Sequence, residues 1–414
     1  MSETPRNLKS MLSEAKDASE LMVDLGYAAL FFGDANMAEE VQELEERLNG
    51  LVHEMREVCV LAARSPHDAE QMSSVLHVVA AIERMGNAAV GVSRIVTHRL
   101  GIPAALVADL AQAEEVSHRV RVREESGLAG RSLAAVELPV NLGMRVMAIR
   151  RGKEWIIDPD GDELLLPDDV LIVRGPAAGI GELRVLAGAP EWRPPTVEED
   201  PAITDLDRAV DVLVEMKNVS EVAVGLAYSA LLLNDQSLAA EVNHLEDRLD
   251  EMRERLEVWV LRAAAERVDP SPLRGLLHLG AAAEELGDSA QQMVWLVERG
   301  EEMHPVLAIA LGDSDEVIAR VPVGPGSALD GRTLRRRAEL ELETGYYLLA
   351  IRRAGRYLYR PRGAVRLEAG DELIAIGPEE GYARLAELGG YRLLEDDATG
   401  EIELQPAGEH AAHG

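Results

Sequence analysis

Two kinds of side chain in this sequence stand at spacings that could do chemistry. The first is carboxylate pairs four residues apart, Glu246 with Asp250 and Glu284 with Asp288. On a helix, residues i and i+4 share one face, and oxygen ligands arranged this way suit a hard divalent cation. The second is an arginine pair closing an apolar run, Arg150-Arg151 and again Arg352-Arg353. A guanidinium fork grips phosphate or carboxylate through two parallel hydrogen bonds. Each has a plainer alternative. Acid pairs are usually solvated helix faces, and arginines at a strand end pair with local acids. No Ser-His-Asp arrangement, Walker loop or H-E-x-x-H occurs, so nothing in the sequence proposes a reaction, and a non-enzymatic protein is expected.

Other residues carry less. Asp158-Pro-Asp160-Gly-Asp162-Glu163 has the look of a calcium loop. An EF-hand needs Gly at its sixth position and Glu at its twelfth, where this segment has Glu163 and Asp169. A polar hairpin turn is expected instead. His77 and His278 hold one position in two similar segments and read as structural hydrogen-bonding groups. Cys59, replaced by Trp259 in the second segment, reads as a core filler and not a nucleophile.

The chain has 414 residues, enough for about three ordinary domains. Acidic residues outnumber basic ones 74 to 42, for a formal charge of −32. That surplus excludes the clustered Lys and Arg of a nucleic-acid binder and a polybasic hold on anionic lipid. Apolar residues make up 47% and aromatic ones 3%, so cores form from Ala, Leu, Val and Ile. Lysines occur only at positions 9, 16, 153 and 217; a GC-rich genome or a salt-loaded cytoplasm would each account for this. The single cysteine excludes an internal disulfide and a cysteine-based zinc site. The polar N-terminus has no signal-peptide character, and the longest apolar run, Val222 to Leu233, is too short to span a bilayer. A soluble, cytoplasmic protein is expected.

The chain repeats itself over most of its length. Tyr27-Ala-Ala-Leu-Phe-Phe-Gly-Asp34 returns 201 positions later as Tyr228-Ser-Ala-Leu-Leu-Leu-Asn-Asp235. In the same register Leu44 to Asn49 matches Leu245 to Asp250, and Glu83-x-x-Gly86-Asn87 matches Glu284-x-x-Gly287-Asp288. The likeness then passes into other chemistry: Leu128-x-Gly130-Arg131 with Leu329-x-Gly331-Arg332, Ala148 to Arg151 with Ala350 to Arg353, and Gly175-Pro176 with Gly377-Pro378. The chain is two copies of a two-part unit. In the first copy both aspartates of the acid pairs are asparagine, Asn49 and Asn87, so Glu45 and Glu83 lack their second carboxylate.

The first part of each unit is helical. Apolar residues at Val41, Leu44, Leu48, Leu51 and Met55 follow a helical period with charges between. Breaks predict helices at about 6–32, 35–64 and 67–99, repeated at about 205–233, 236–267 and 272–300. Three such helices in a row pack as an antiparallel bundle. The second part reads as short strands with turns: Val120 to Val122, Met144 to Arg150, Glu154 to Ile157 and Val170 to Val173, with helices after Gly130 and from about Gly179 to Leu186. The expected organisation is helical 1–110, α+β 111–188, linker 189–204, helical 205–310, α+β 311–392 and a disordered tail 393–414.

The helical part resembles the PhoU domain, a three-helix repeat. Ile82-Glu83-Arg84-Met85-Gly86-Asn87-Ala88 is close to that family's I-E-R-I-G-D-x-A, and Ala283 to Ser289 is a looser copy. The α+β part resembles the TrkA C-terminal domain, also called the RCK C-terminal domain (RCK-C). Ser126-x-Leu128-x-Gly130-x-x-Leu133, Ala148-Ile149-Arg150, Pro159 and Asp169-x-Leu171-x-x-x-Gly175 carry it, and Ser327 to Leu334, Ala350-Ile351-Arg352, Pro361 and Asp371 to Gly377 repeat it. The fold class is therefore α plus α+β: two antiparallel three-helix PhoU-like bundles alternating with two small RCK-C-type modules.

The resemblance implies a cytoplasmic regulatory subunit of a membrane cation transporter of the potassium or magnesium class. It would sense a small ligand such as a cyclic dinucleotide in paired RCK-C modules and act through the bundles. The alternative is a phosphate-signalling adaptor acting on a sensor kinase or phosphate transporter. RCK-C domains pair, so self-association, as a homodimer, is implied, together with a place at the inner membrane through a protein partner and not through lipid. The implied ligand-binding residues are Ile149, Arg150, Arg151 and Pro159, with Ile351, Arg352, Arg353 and Pro361. PhoU-like bundles hold metal through such acid pairs, which implies a divalent metal at Glu246, Asp250, Glu284 and Asp288. The Rossmann domain of TrkA is missing, and the glycine clusters Gly175 to Gly181 and Gly324 to Gly326 lack G-x-G-x-x-G, so NAD binding is not expected.

Overall fold

The computed structural model describes residues 6–110, 115–191, 204–265, 270–301, 303–312, 316–334, 337–359, 361, 365–395 and 402–407. In chain order the elements begin with α1 (Leu8–Phe32), α2 (Ala35–Ala62), α3 (Pro66–Thr97) and α4 (Ala104–Leu110). Next come β1 (Glu115–Arg121), α5 (Leu133–Val136), α6 (Leu138–Leu142), β2 (Arg145–Arg151), β3 (Glu154–Ile157), β4 (Val170–Pro176) and α7 (Ile180–Leu186). The second copy runs α8 (Asp205–Leu233), α9 (Gln236–Ala265), α10 (Arg274–Glu298), α11 (Pro305–Gly312), β5 (Glu316–Pro322), α12 (Arg337–Thr344), β6 (Tyr347–Arg353), β7 (Arg356–Tyr359), β8 (Glu372–Pro378) and α13 (Glu379–Gly389). A hairpin of β9 (Tyr391–Glu395) and β10 (Ile402–Pro406) follows. These elements form two compact units, one helical and one built on sheets. The copies thus sort by kind: bundle gathers with bundle, and module with module.

In the helical unit the long helices lie where periodicity and punctuation place them. Asn7 caps α1 through the Ser10 amide, and Gly33 ends it in the left-handed region, φ 61°. Asp34 then caps α2 by accepting from the amides of Asn36 and Met37. The second copy uses the same device: Asn234, φ 47°, ends α8, and Asp235 accepts from the Ser237 and Leu238 amides. Thr204 and Asp207 form a capping box at the start of α8. One face of α2 is buried, at Met37, Val41, Leu44, Leu48, Leu51, Met55 and Cys59. The matching face of α9 carries Leu238, Val242, Leu245, Leu249, Met252, Leu256 and Val260. Val260, not Trp259, therefore occupies the position of Cys59; Trp259 lies between Arg208 and Arg262, each 4.8 Å from its ring centre. Gly86 and Gly287 of the third-helix motif leave room for Leu48 and Leu249, which a Cβ there would strike. The short helices α4 and α11 were not expected; α11 packs on α1 and α8, and α4 on α8. Among the described helices α3 alone is long and apolar enough to cross a bilayer, and 61% of that stretch is buried.

In the sheet unit each module carries a four-stranded sheet, ordered β1-β4-β2-β3 and β5-β8-β6-β7. Both central pairs are antiparallel and shift register at matching places, between Val146 and Ala148 and between Leu348 and Ala350. Such a bulge pins the pairing. Where one helix was expected after Gly130, two short ones form, because Glu137 turns left-handed, φ 53°, and Pro139 restarts the chain. The tail expectation is corrected at 393–395 and 402–407. Ile402 to Pro406 pairs antiparallel with Tyr391 to Glu395, and Leu404 packs against the second module's core with Val365 and Tyr382. The alternation Ile402-Glu-Leu404 gives that strand one apolar face, enough to hold it to a core. Most of the linker expected at 189–204 and the rest of the tail lie outside the described residues.

The two modules meet through a reciprocal backbone contact. Gly143, φ 63°, follows α6, and a Cβ on it would lie 3.1 Å from the Glu341 carbonyl of α12. Gly345, φ 74°, follows α12, and a Cβ on it would lie 2.7 Å from the Pro139 carbonyl of α6. Both glycines serve a left-handed turn and a close approach at once. Gly345→Ala is therefore expected to destabilise the chain by about 2 kcal/mol or more. Gly152→Ala, also at positive φ (65°) but with nothing within 4 Å, loses less. Urea denaturation of the two variants checks the difference; equal losses would count against the contact.

Candidate functional site

The acid pairs of the second bundle lie on α9 and α10 and sense one another. Burial raises the Glu246 carboxyl above its usual range, with further contributions from Asp250 and Asp288. The Asp288 carboxyl is raised by burial and by Glu284, against the opposing effect of Arg84. Each of three is engaged by a donor. Arg253 of α9 forms a close ion pair with Glu284. Arg84 of α3 reaches Asp288 at 3.4 Å and donates to Gln292 Oε1 at 3.0 Å. Gln291 Nε2 donates to Glu246 Oε2 at 2.7 Å, while Asp250 is exposed. Among the described residues, no three His, Cys, Asp or Glu side chains stand where they could hold one ion. The residues present, as arranged here, do not fit a metal cluster.

In the first bundle Asn49 Nδ2 donates to Glu45 Oε1 at 3.1 Å, and Arg56 Nη2 contacts Glu83 Oε2 at 2.5 Å. The histidines diverge. His77 Nε2 lies 2.7 Å from the Gln292 carbonyl and its ring packs 5.2 Å from Trp295, joining α3 to α10; His278 is exposed.

A second constellation in this unit was missed by sequence reasoning. Lys16 is fully buried, its Nζ 2.7 Å from Glu20 Oε2 and 5.1 Å from the Tyr228 ring centre. The mirror arrangement places Lys217 Nζ 2.6 Å from Glu221 Oε1 and 5.1 Å from the Tyr27 ring centre. Each lysine of one copy thus lies over the tyrosine of the other, a cation–π contact supporting a buried ion pair. Burial, then Glu221 for Tyr27 and Glu20 for Tyr228, push both phenols well above their ordinary value. The signal was available: Lys-x-x-Ser-Glu followed by Tyr recurs at one offset, Lys16 to Tyr27 and Lys217 to Tyr228, in a chain with four lysines.

In the sheet unit the eight expected ligand residues separate by role. Ile149 and Ile351 are fully buried in their sheets. Arg151 forks onto Asp169, with Nε–Oδ1 3.0 Å and Nη2–Oδ2 2.8 Å, and also holds Glu163 and the Leu164 carbonyl. Arg353 forks onto Asp371 at 2.7 Å through both nitrogens and donates to the Arg366 carbonyl. Asp169 and Asp371, each 1% exposed, also accept from the Leu166 and Glu368 amides. These are the aspartates of the D-x-L motif, so that motif builds an internal clamp. Arg150 lies 5.9 Å from the Trp155 ring centre. Arg352 contacts Glu372, which Arg320 also holds; despite burial, the two guanidiniums keep that carboxyl below its usual range. Pro159 is half-buried and Pro361 buried. Between the modules stand the reciprocal glycine contacts and an ion pair, Arg145 Nη1 to Glu316 Oε1 at 3.5 Å.

With this geometry in place, comparison with known proteins gives the class. The PhoU domain model matches residues 12–96 and 213–297, and the TrkA-C domain model matches residues 118–188 and 318–389. The chain is built of two PhoU domains alternating with two TrkA-C domains, a duplicated tandem. Over 82 residues it is 35% identical to the Ktr system potassium uptake protein C of Bacillus subtilis; the match spans 19% of this chain and 37% of that protein. Among solved structures, PhoU from Pseudomonas aeruginosa aligns at 16% identity over 71% of this chain and 96% of that one, TM-score 0.38. The RCK domain of GsuK aligns at 16% identity over 68% and 64%, TM-score 0.18.

The raised carboxyls set a pH dependence. Folded Glu246, Glu285 and Asp288 hold their protons more tightly than an unfolded chain does. Their contribution is fully present below the ordinary carboxylate pKa and is lost as pH rises through the folded values. Thermal melts should therefore show the helical unit gaining stability as pH falls from neutral toward the ordinary carboxylate range. A monotonic loss over that window would contradict the assignment.

Proposed function

We propose that this chain is a cytoplasmic regulatory subunit of a membrane cation transporter, sensing a small ligand in its paired TrkA-C modules and acting through its PhoU bundles. The carrying observation is that both TrkA-C domains of one chain pack together, joined by Gly143 against Glu341 and Gly345 against Pro139. The local likeness to a potassium uptake protein supports potassium as the ion class. The partner is an integral-membrane transporter, reached through protein contact. A cyclic dinucleotide is the ligand class we favour: its two phosphates suit two modules that each carry an arginine at the end of a central strand, Arg150 beside Trp155 and Arg352 held by Glu372. A ligand that binds one arrangement of the modules better than another shifts their equilibrium and, through the connected bundles, the transporter.

Calorimetric titration of the full chain with cyclic di-AMP is expected to saturate at one ligand per chain, with affinity lost in the double variant Arg150→Ala, Arg352→Ala. Silence toward cyclic dinucleotides would remove this ligand. Failure to co-purify a cation transporter from native membranes would remove the regulatory role. A phosphate-signalling adaptor is the second reading, favoured by the two PhoU matches; it requires a dependence on phosphate supply where the first requires dependence on potassium.

A further inference from the structure

We infer that guanidinium groups of this chain, and not a divalent metal, neutralise the third-helix acids of its PhoU domains: Arg56 on Glu83 in the first, Arg253 on Glu284 and Arg84 on Asp288 in the second. Glu83 and Glu284 are equivalent under the 201-residue repeat, yet their arginines are not. Arg56 corresponds to Glu257, and Arg253 corresponds to Val52. Each arginine comes from the second helix of its own bundle, one helical turn apart, and each reaches the same glutamate position. The same electrostatic outcome therefore rests on different residues in the two copies. A position that a metal ligates gains nothing from a fixed guanidinium beside it; a half-buried glutamate without a cation does, because an unpaired carboxylate leaving water is costly.

The surrounding substitutions agree. Asn49 and Asn87 remove a carboxylate from each acid pair in the first copy, where Arg56 alone is then enough. The second copy keeps all four acids and carries two arginines, one of them sent across from the first bundle. Arg84 stands where the second copy has Glu285, so this contact exists once and binds α3 to α10. The acid face thus acts as a joint between bundles.

Elemental analysis and thermal-shift measurements on the full chain test this with Mg2+, Mn2+, Fe2+ and Zn2+ as probes. Wild type is expected to purify without stoichiometric metal and to show no melting shift with these ions. Arg253→Met leaves Glu284 without its cation and should lower the melting temperature by at least ~2 °C. Arg253→Lys keeps the charge and should melt close to wild type. Stoichiometric metal in wild type, or a wild-type shift at micromolar ion, would overturn the inference. So would an Arg253→Met protein that melts cooperatively at the wild-type temperature. If Arg253→Met does not fold, Arg253→Gln takes its place with the same two outcomes.

Discussion

Everything in this chain depends on one constraint: each half of the duplicated sequence is packed by its own copy. A three-helix bundle with so much Ala, Leu and Val buries its apolar faces only partly against itself. The remaining surface of α1 and α3 is covered by α11 and α10 of the second copy. The contacts that fix this register are exchanged, Lys16 over Tyr228 and Lys217 over Tyr27. The modules repeat the principle through backbone, Gly143 on Glu341 and Gly345 on Pro139. A duplication that keeps both partners of such an exchange in one chain converts a contact between molecules into one within a molecule, at a much higher effective concentration.

Once the copies are held together, they are free to differ. The first bundle has Asn49 and Asn87 where the second has Asp250 and Asp288, while Arg84 serves only one side. The second module sets Glu372 between Arg320 and Arg352, where the first has Val170 with Arg119 and Arg150 at the matching positions. A homodimer would have to make every change twice. A fused pair makes each once.

Much of the fold was legible in the residues. Gly33-Asp34 and Asn234-Asp235 announce helix ends by local chemistry, and the Gln236 to Ala265 helix is periodic throughout. What escaped was what depends on distant partners. Ile402 to Pro406 reads as tail because nothing nearby shows that Leu404 meets a core. Arg151 and Arg353 read as ligand clamps because Asp169 and Asp371 lie eighteen residues away and become partners only when the hairpin sheets close. The acid pairs carry their spacing in the sequence, but the arginine that answers Asp288 comes from another bundle, 204 positions earlier. Local spacing names candidate groups; only the fold says which charges they face.

The claim most central to this account is that the copies pair within a chain. The Arg145–Glu316 contact of 3.5 Å between the modules offers the direct test. With Cys59 replaced by Val, as at Val260, the double substitution Arg145→Cys, Glu316→Cys and a short bis-maleimide should give a linked species that runs as a single chain at every protein concentration. A linked species that runs as a dimer, and grows with concentration, would contradict it.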